Sequence, residues 1–274
     1  MSDALGHWID GAAGAMVPAD DRGLQYGDGL FETLLVRERR VRFLEAHLAR
    51  LATGCGRLRI GFTKFTELRA EIVTAAERAP PLAVLKIVVT RGSAVRRGYA
   101  PQGSENARRI VSLWPAAPLA VADGVELRVA AMRASENPAL AGIKHLNRLE
   151  NVLAAAEPHA TSVFDALMLD SSRRVIGGVM SNVFVVREGR LSTPRVDLCG
   201  VAGVMRGVVL RECTALAIPV TEDRIALTDL LTADEVFITN ARIGVVPVRR
   251  VGEHSFVMNE ITQHLRQRIE AIDA

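Results

Sequence analysis

The chain has 274 residues, 49% hydrophobic and 24% charged, which is the composition of a soluble globular protein long enough for two modest domains. Its net charge of +3 comes from arginines interleaved with 31 acids, and 4% of residues are aromatic, so a nucleic-acid-binding surface is disfavoured and anionic small molecules are weakly favoured as ligands. The cysteines lack disulfide or zinc spacing and no segment resembles a signal or membrane span, so we expect a cytoplasmic protein with free thiols and neither a metal site nor a membrane partner.

The first half of the chain is predicted to contain a hairpin, further strands and two helices. HWIDGAAG has the Asp10-Gly11 dipeptide that favours a hairpin turn, and the proline pair Pro80-Pro81 ends the second helix. An arginine- and glycine-rich loop separates the last two strands. The predicted strands are 30–37, 41–44, 82–90 and 108–114, and the predicted helices are 45–58 and a second one from Thr63.

The prolines in WPAAPLAVADG mark the expected domain boundary. They divide the chain into a smaller N-terminal domain, 1–115, and a larger C-terminal domain, 116–274. Hairpins and helices occur in both halves without strict alternation, which predicts an α+β fold. In the second half, strands are expected at 125–133, 164–169, 181–187, 235–239 and 245–251, and helices after Lys144, within 200–219 and from Met258.

Lys144 is one of only three lysines among 34 basic residues. Unlike arginine, a lysine amine can lose its proton and react with a carbonyl group. The spacing of Leu146, Leu149, Val152 and Leu153 predicts a helix with one buried face directly after it. On these facts alone, an ordinary solvated lysine remains the favoured interpretation.

Common nucleotide, hydrolase and metal motifs are absent from the sequence. The run GVAGVMRG instead places glycines and unpaired backbone N–H groups at a predicted helix start, an arrangement that binds phosphate. A glycine before a helix is more often only a turn, so this feature alone is weak.

Seven runs together resemble the fold-type-IV pyridoxal-phosphate enzymes, the family that includes D-amino-acid and branched-chain aminotransferases. The resemblance spans nearly the whole chain and implies a two-domain α+β fold with the active site between the domains, a homodimer, and a small-molecule substrate. In chain order, the runs are DRGLQYGDGLFET (21–33), HLARL (47–51), RGSAVRRGY (91–99), GIKHLNRLEN (142–151), SNVF (181–184), GVMRG (203–207) and TNARIGVVPV (239–248).

Site residues follow from this resemblance position by position. It makes Lys144 the lysine that holds pyridoxal 5′-phosphate covalently, and Arg50 the side chain that binds the phosphate. The matching runs in the second half give the backbone N–H groups of Val204 and Met205 to the same phosphate and add Ala241 to it. Tyr26, Arg97 and Tyr99 match positions that line the substrate side of the site.

Within the family, GIKHLNRLEN is most similar to the aminodeoxychorismate lyases, which make 4-aminobenzoate for folate synthesis. That similarity implies that Lys144, once displaced by the substrate amine, takes the C4 proton of the substrate and later acts as an acid while pyruvate leaves. Arg97 is the first candidate to bind the substrate carboxylates, followed by Arg91 and Arg242. An aminotransferase and a non-catalytic paralogue remain the alternatives.

Gly177 departs from the family pattern, because an acidic residue usually meets the pyridine nitrogen at that position. A charge-assisted hydrogen bond of this kind contributes about 1.5 to 3 kcal/mol. We therefore expect a weaker electron sink, which the aromatisation of the product ring offsets in a lyase more readily than in a transaminase. On this hypothesis, a Gly177→Glu variant gains less than about tenfold in lyase turnover.

Overall fold

The structure, a computed structural model, describes residues 4–94, 96–103, 105–257 and 260–272. These residues form two compact units. The first comprises the described chain up to Pro118 together with Ile143–Asn147, and the second comprises Leu119–Gly142 and the described chain from Arg148 onward. The expected division at 115/116 assigns Lys144 to the second domain, whereas the structure assigns it to the first unit.

The first unit is built on a six-stranded antiparallel sheet with strand order β2-β1-β6-β5-β3-β4. The long central strands are rich in Val, Ile and Leu, and α2 packs on β3 while α3 packs on β4 and β6. Its elements are β1 (Gly6–Ile9), β2 (Ala12–Ala13), α1 (Arg22–Tyr26), β3 (Gly29–Arg37), β4 (Arg40–Val41), α2 (Leu44–Leu58), α3 (Phe65–Glu77), β5 (Leu82–Thr90) and β6 (Arg108–Pro115).

The second unit is built on a mixed nine-stranded sheet with strand order β12-β11-β10-β13-β14-β7-β8-β9, and β15 pairs with β14. Phe184 and Phe237 stack in its core with ring centroids 4.9 Å apart. Its elements are β7 (Val125–Arg133), α4 (Leu149–Ala156), β8 (Val163–Leu169), β9 (Val175–Gly178), β10 (Asn182–Arg187), β11 (Arg190–Pro194), α5 (Val204–Ala215), β12 (Val220–Asp223), α6 (Leu227–Leu231), β13 (Glu235–Asn240), β14 (Gly244–Val251), β15 (His254–Ser255) and α7 (Glu260–Ala271).

The predicted α+β class is confirmed, and so is the hairpin at Asp10-Gly11, where β1 pairs with β2. The strand expected at 41–44 is wrong beyond Val41. Phe43 instead adopts a left-handed conformation, φ 51°, that turns the chain into α2 at Leu44. The predicted start of the last helix, Met258, lies outside the described residues.

The helix expected directly after Lys144 begins later, at Leu149. Its apolar face is not buried, because Leu149, Val152 and Leu153 are 76%, 58% and 56% exposed. The helix predicted from the spacing is confirmed. The prediction that this helix buries its apolar face is wrong for the single chain. In the described part of the chain, no helix is long and apolar enough to cross a membrane.

Candidate functional site

Lys144 lies in an irregular segment that pairs with β3 in the first unit. The Phe31 N–H donates to the Lys144 carbonyl at 3.0 Å, and the Leu146 N–H donates to the Gly29 carbonyl at 3.0 Å. The Lys144 Nζ lies 4.1 Å from the centroid of the Phe31 ring, a distance at which the ring face attracts an ammonium group. β3 therefore fixes the backbone at Lys144 and supplies its aromatic neighbour, which the sequence analysis did not single out.

Glu32, His47 and Arg50 form a buried hydrogen-bonded cluster in the same unit. Glu32 follows Phe31 on β3, is 2% exposed, and accepts hydrogen bonds from His47 Nδ1 at 2.6 Å and Arg50 Nε at 2.8 Å. Arg50 Nη2 donates to the same carboxylate. His47 and Arg50 are three residues apart on α2, which puts both side chains on the face toward Glu32. The carboxylate thus fixes the direction of the Arg50 guanidinium.

The protonation states of this cluster follow from burial and charge. Burial alone would raise the pKa of the Glu32 carboxyl, but the hydrogen bonds from His47 and Arg50 hold it below its usual value, so Glu32 is anionic. Burial lowers the pKa of His47, and with the charges of Arg50 and Lys144 it outweighs the opposite effect of the Glu32 carboxylate, so the imidazole is neutral. Because an ionised carboxylate only accepts hydrogen bonds, the proton of His47 is on Nδ1.

The Nε2 atom of His47 is consequently a bare acceptor. It is buried and has no hydrogen-bond partner among the residues that the structure describes. An unsatisfied buried polar group costs about 1 to 3 kcal/mol, so a bound molecule or an ordered water is needed to complete the cluster.

Tyr26 and Tyr99, both expected on the substrate side, contact each other with ring centroids 5.3 Å apart. Arg97 lies exposed in the same loop as Tyr99. Arg91, the second candidate for the substrate carboxylates, is already engaged by Asp28. It also donates to the carbonyls of Leu58 and Arg59 at the end of α2. With its guanidinium nitrogens engaged in these bonds, Arg91 is a weaker candidate for the substrate carboxylates than Arg97.

The start of α5 in the second unit carries Val204 and Met205, whose N–H groups have no carbonyl within the helix to bond. A Cβ atom at Gly203 would lie 2.1 Å from Asn182 Oδ1, so a larger residue there would have to displace the Asn182 side chain. Asn182 Nδ2 donates to the Val201 carbonyl at 2.9 Å and so fixes the approach to the helix. The helix start can accept an anion through these N–H groups.

Gly177 is in β9 with a φ of +151°, a region that L side chains rarely adopt. A Cβ atom at this position would lie 2.9 Å from the carbonyl oxygen of Ser181. An acid could therefore occupy this position only after a shift of the backbone. The backbone at Gly177 is therefore suited to glycine.

Asp165 is a buried carboxylate that the sequence analysis missed, and it holds the turn after β9. It accepts hydrogen bonds from the N–H of Val179 at 3.1 Å and from Ser181 Oγ at 2.7 Å. Burial raises the pKa of Asp165 despite these hydrogen bonds. An acid in the otherwise apolar strand sequence VFDALML was the signal that could have identified it.

Ala241 lies in the turn between β13 and β14. Asn240 Oδ1 accepts hydrogen bonds from the N–H groups of Arg242 at 2.9 Å and Ile243 at 3.1 Å, which tightens this turn. The Arg242 side chain is exposed.

The three cysteines are expected to be unreactive in the native protein. Burial raises the pKa of Cys55 to about 12 and the pKa values of Cys199 and Cys213 to about 11. At about pH 8 the thiolate fraction of each is then on the order of a thousandth or less, against roughly a quarter for a free thiol. A disulfide reagent should label all three only after unfolding in urea. Labelling of the native protein at the rate of free cysteine would contradict this account.

A family model, known protein sequences and a solved structure all match this chain over most of its length. The model of the family described as Amino-transferase class IV matches residues 29–251. The chain is 36% identical to aminodeoxychorismate lyase of Vibrio harveyi over 94% of this chain and 97% of that protein. It is 32% identical to a putative branched-chain-amino-acid aminotransferase of Methanocaldococcus jannaschii, over 94% and 91%. The crystal structure of 4-amino-4-deoxychorismate lyase from Pseudomonas aeruginosa superposes with a TM-score of 0.91 at 42% identity, covering 97% of this chain and 98% of that one.

Proposed function

Because the chain belongs to the amino-transferase class IV family, we propose that it is a pyridoxal-phosphate-dependent lyase that converts 4-amino-4-deoxychorismate to 4-aminobenzoate and pyruvate. The observation that carries the proposal is the similarity, over nearly the whole chain, to the lyases of V. harveyi and P. aeruginosa at 36% and 42% identity. The product assigns the protein to folate biosynthesis.

The residues of the first unit fit the needs of pyridoxal 5′-phosphate. The cofactor needs an amine for its aldehyde, which Lys144 provides, and a cation for its phosphate, for which Arg50 offers a guanidinium oriented by Glu32. The unsatisfied Nε2 of His47 supports the assignment, because a further polar group would complete the cluster there. When bound, the cofactor supplies an electron-withdrawing ring that stabilises the charge left by proton loss.

In the second unit, we assign the N–H groups of Val204 and Met205 to the phosphate. The support is the helix start at Gly203, where unpaired N–H groups and the helix dipole attract an anion. Ala241 is assigned to the same cofactor from its position in the turn after β13, as the matching TNA sequence implies.

Lys144 performs the proton transfers in this mechanism. The neutral amine takes the proton from C4 of the substrate ring, the bond from the ring to the enolpyruvyl oxygen breaks, and the ring becomes aromatic. The resulting ammonium then returns a proton to the departing enolpyruvate, which leaves as pyruvate. The Phe31 ring, 4.1 Å from Nζ, orients the amine and stabilises its charged form between these two steps.

The two carboxylates of the substrate need cationic partners, and Arg97 is the residue we assign to them. It is exposed on a loop beside Tyr99, which contacts Tyr26. Arg242 is the second choice, because its side chain is also exposed.

Gly177 leaves the ring nitrogen of the cofactor without an acidic partner from that position. We propose that the aromatisation of the product ring compensates for the weaker electron sink. The positive φ of Gly177 changes how this is tested, because a glutamate introduced there would be strained and would need the Ser181 carbonyl to move. A gain of more than about tenfold in turnover for Gly177→Glu would still refute the compensation, but a loss of activity has a steric explanation.

The proposed function is tested by incubating the purified protein with pyridoxal phosphate and 4-amino-4-deoxychorismate. We expect 4-aminobenzoate to form and pyruvate to be released. A protein that binds the cofactor but leaves this substrate unchanged would refute the lyase assignment.

An aminotransferase is the second candidate, favoured by the 32% identity to the M. jannaschii protein. Its test is transfer of an amino group from branched-chain or D-amino acids to 2-oxoglutarate. A non-catalytic paralogue would turn over neither substrate. A colourless protein that takes up no added pyridoxal phosphate would exclude both enzyme assignments.

We further propose that the protein is a cytoplasmic homodimer. Its three described cysteines are unpaired and buried, as in a reducing compartment. The support for the dimer is the exposed apolar face of α4, formed by Leu149, Val152 and Leu153. Three adjacent apolar side chains, each more than half exposed, are typical of a surface that another chain covers.

The α4 face gives a direct prediction. Leu149→Glu should shift the protein from a dimer toward the 29.6 kDa of a single chain in light scattering, because a charge would be buried without a partner at the interface. Met16→Glu is the matched control, since Met16 is also exposed, at 87%, but lies outside this face. A dimer that persists in the Leu149 variant, or a wild-type protein that is already monomeric, would show that this face is not the interface.

A further inference from the structure

Each nitrogen of the Arg22 guanidinium donates a hydrogen bond, although Arg22 has no part in the function proposed above. It is 3% exposed. Its Nη1 donates to the Gly98 carbonyl at 3.0 Å and its Nη2 donates to the Tyr99 carbonyl at 2.6 Å. Its Nε donates to Asp28 Oδ2 at 2.9 Å, and its guanidinium carbon lies 5.1 Å from the centroid of the Tyr26 ring. One side chain therefore touches both tyrosines proposed for the substrate side.

Asp28 anchors Arg22 to the body of the first unit. Burial would raise the pKa of the Asp28 carboxyl, but hydrogen bonds from Arg91 and Arg22 lower it, so the group is anionic and bridges the two arginines. Arg91 is in turn bonded to the carbonyls of Leu58 and Arg59 at the end of α2. The Asp28 carboxylate, itself bonded to Arg91, therefore fixes the position of the Arg22 guanidinium.

The loop that bonds to Arg22, residues 96–100, is not held by strand pairing. Residues 96–100 are exposed and lie outside the strands, and Tyr99 itself is 84% exposed. Two consecutive carbonyls, of Gly98 and Tyr99, point at the same guanidinium. Gly98 has a φ of +122°, a conformation that glycine adopts more readily than other residues.

We propose that Arg22 is a positioning residue that fixes the loop carrying Arg97 and Tyr99, and that it thereby sets the affinity for the dicarboxylate substrate. This inference rests on the proposed function, because it takes the substrate-side roles of Arg97 and Tyr99 from it. Arg22 does not touch the reacting atoms. Its loss acts on substrate binding and leaves cofactor binding and the proton transfers of Lys144 intact.

The size of the effect follows from the population of the ordered loop. Without Arg22, the two carbonyls can bond water instead, and the loop gains conformations. If the binding-competent conformation falls to about a tenth of the population, the apparent dissociation constant rises about tenfold. Lysine in place of arginine offers one ammonium where two carbonyls and a carboxylate converge, so it should restore only part of the affinity.

The test compares Arg22→Gln, Arg22→Lys and Arg108→Gln in the holoenzyme. Arg108 is the matched control, because it also bonds an aspartate next to α1, Asp21, at 3.1 Å, but does not contact the carbonyls at 98 and 99. For Arg22→Gln we expect KM for 4-amino-4-deoxychorismate to rise about tenfold. We expect kcat and the cofactor absorbance to stay near those of the wild type, Arg22→Lys to lie between, and Arg108→Gln to keep the wild-type KM.

Tryptic cleavage after Arg96 or Arg97 provides a readout that needs no turnover. The proposal predicts faster cleavage in Arg22→Gln than in Arg108→Gln at equal melting temperature. An active Arg22→Gln variant with the wild-type KM, or equal cleavage of the two variants, would overturn it. A wild-type protein that releases no pyruvate would instead refute the proposed function and, with it, the substrate role of the loop.

Discussion

Replacing Lys144 by alanine is expected to abolish covalent cofactor attachment and to reduce lyase turnover by at least about a thousandfold, because the residue is both the attachment point and the general base. Sodium borohydride followed by peptide mass mapping should find the reduced cofactor on the peptide containing Lys144 in the wild type. No modified peptide should be found in the variant. The fold should persist, since the segment is held through its backbone by Phe31 and Gly29.

Lys86 provides a matched control for this experiment. Its Nζ lies 5.5 Å from the centroid of the same Phe31 ring, and it is exposed. Lys86→Ala removes a lysine from the same ring while the reactive amine remains. We expect it to retain attachment and turnover. Covalent labelling of Lys86 in the wild type, or full turnover by Lys144→Ala, would disprove the assignment of the amine.

Replacing Glu32 by leucine should destabilise the protein by about 3 to 5 kcal/mol, because it removes one partner from a buried charge cluster. Arg50 would lose its carboxylate and the His47 Nδ1–H would lose its acceptor, while both side chains remain buried or nearly so. The free energy of unfolding, measured in urea without added cofactor, should fall by this amount. Glu32→Gln should cost less, because the amide oxygen can still accept one hydrogen bond.

Glu77→Leu is the control for loss of a glutamate as such, because Glu77 is exposed at the end of α3. Its effect should stay within about 0.5 kcal/mol. A Glu32→Leu variant as stable as this control would show that the cluster does not orient Arg50 through a strong interaction. The cofactor dissociation constant of Glu32→Gln then measures how much that orientation matters for binding.

The sequence predicted the longer strands and helices because apolar periodicity is a local property, whereas the short elements α1, β9, β11, β12 and α6 were not predicted. It could not show which helical face the chain covers with its own residues. Leu149, Val152 and Leu153 have the spacing of a buried face, yet they lie exposed on α4. Periodicity identifies an apolar face but does not show whether the chain itself buries it.

The hydrogen-bonded cluster of Glu32, His47 and Arg50 could be predicted only in part from the sequence. The HLARL run identified Arg50, but Glu32 lies 18 residues before it and meets it only because α2 packs on β3. The pairing of Lys144 with β3 spans more than a hundred residues, so a division of the chain at a single boundary could not place it in the first unit. The sequence also could not show that Arg91 is engaged by Asp28 and by the Leu58 and Arg59 carbonyls, which are likewise distant in sequence.

At Gly177 the sequence alone showed that the expected acid is missing, and the structure added the backbone conformation of the glycine. A glycine in place of the expected acid was visible from the matching run alone. The positive φ and the nearby Ser181 carbonyl show that the backbone itself is adapted to glycine. The main-chain conformation at this position therefore disfavours any side chain, which the sequence alone could not show.

The most direct test of the account is to measure three products in one reaction that contains the holoenzyme, 4-amino-4-deoxychorismate, leucine as an amino donor and 2-oxoglutarate. We expect equal amounts of 4-aminobenzoate and pyruvate, their loss in Lys144→Ala, and little formation of glutamate. Glutamate formation without 4-aminobenzoate would show that the protein is an aminotransferase and would contradict the lyase mechanism proposed for Lys144.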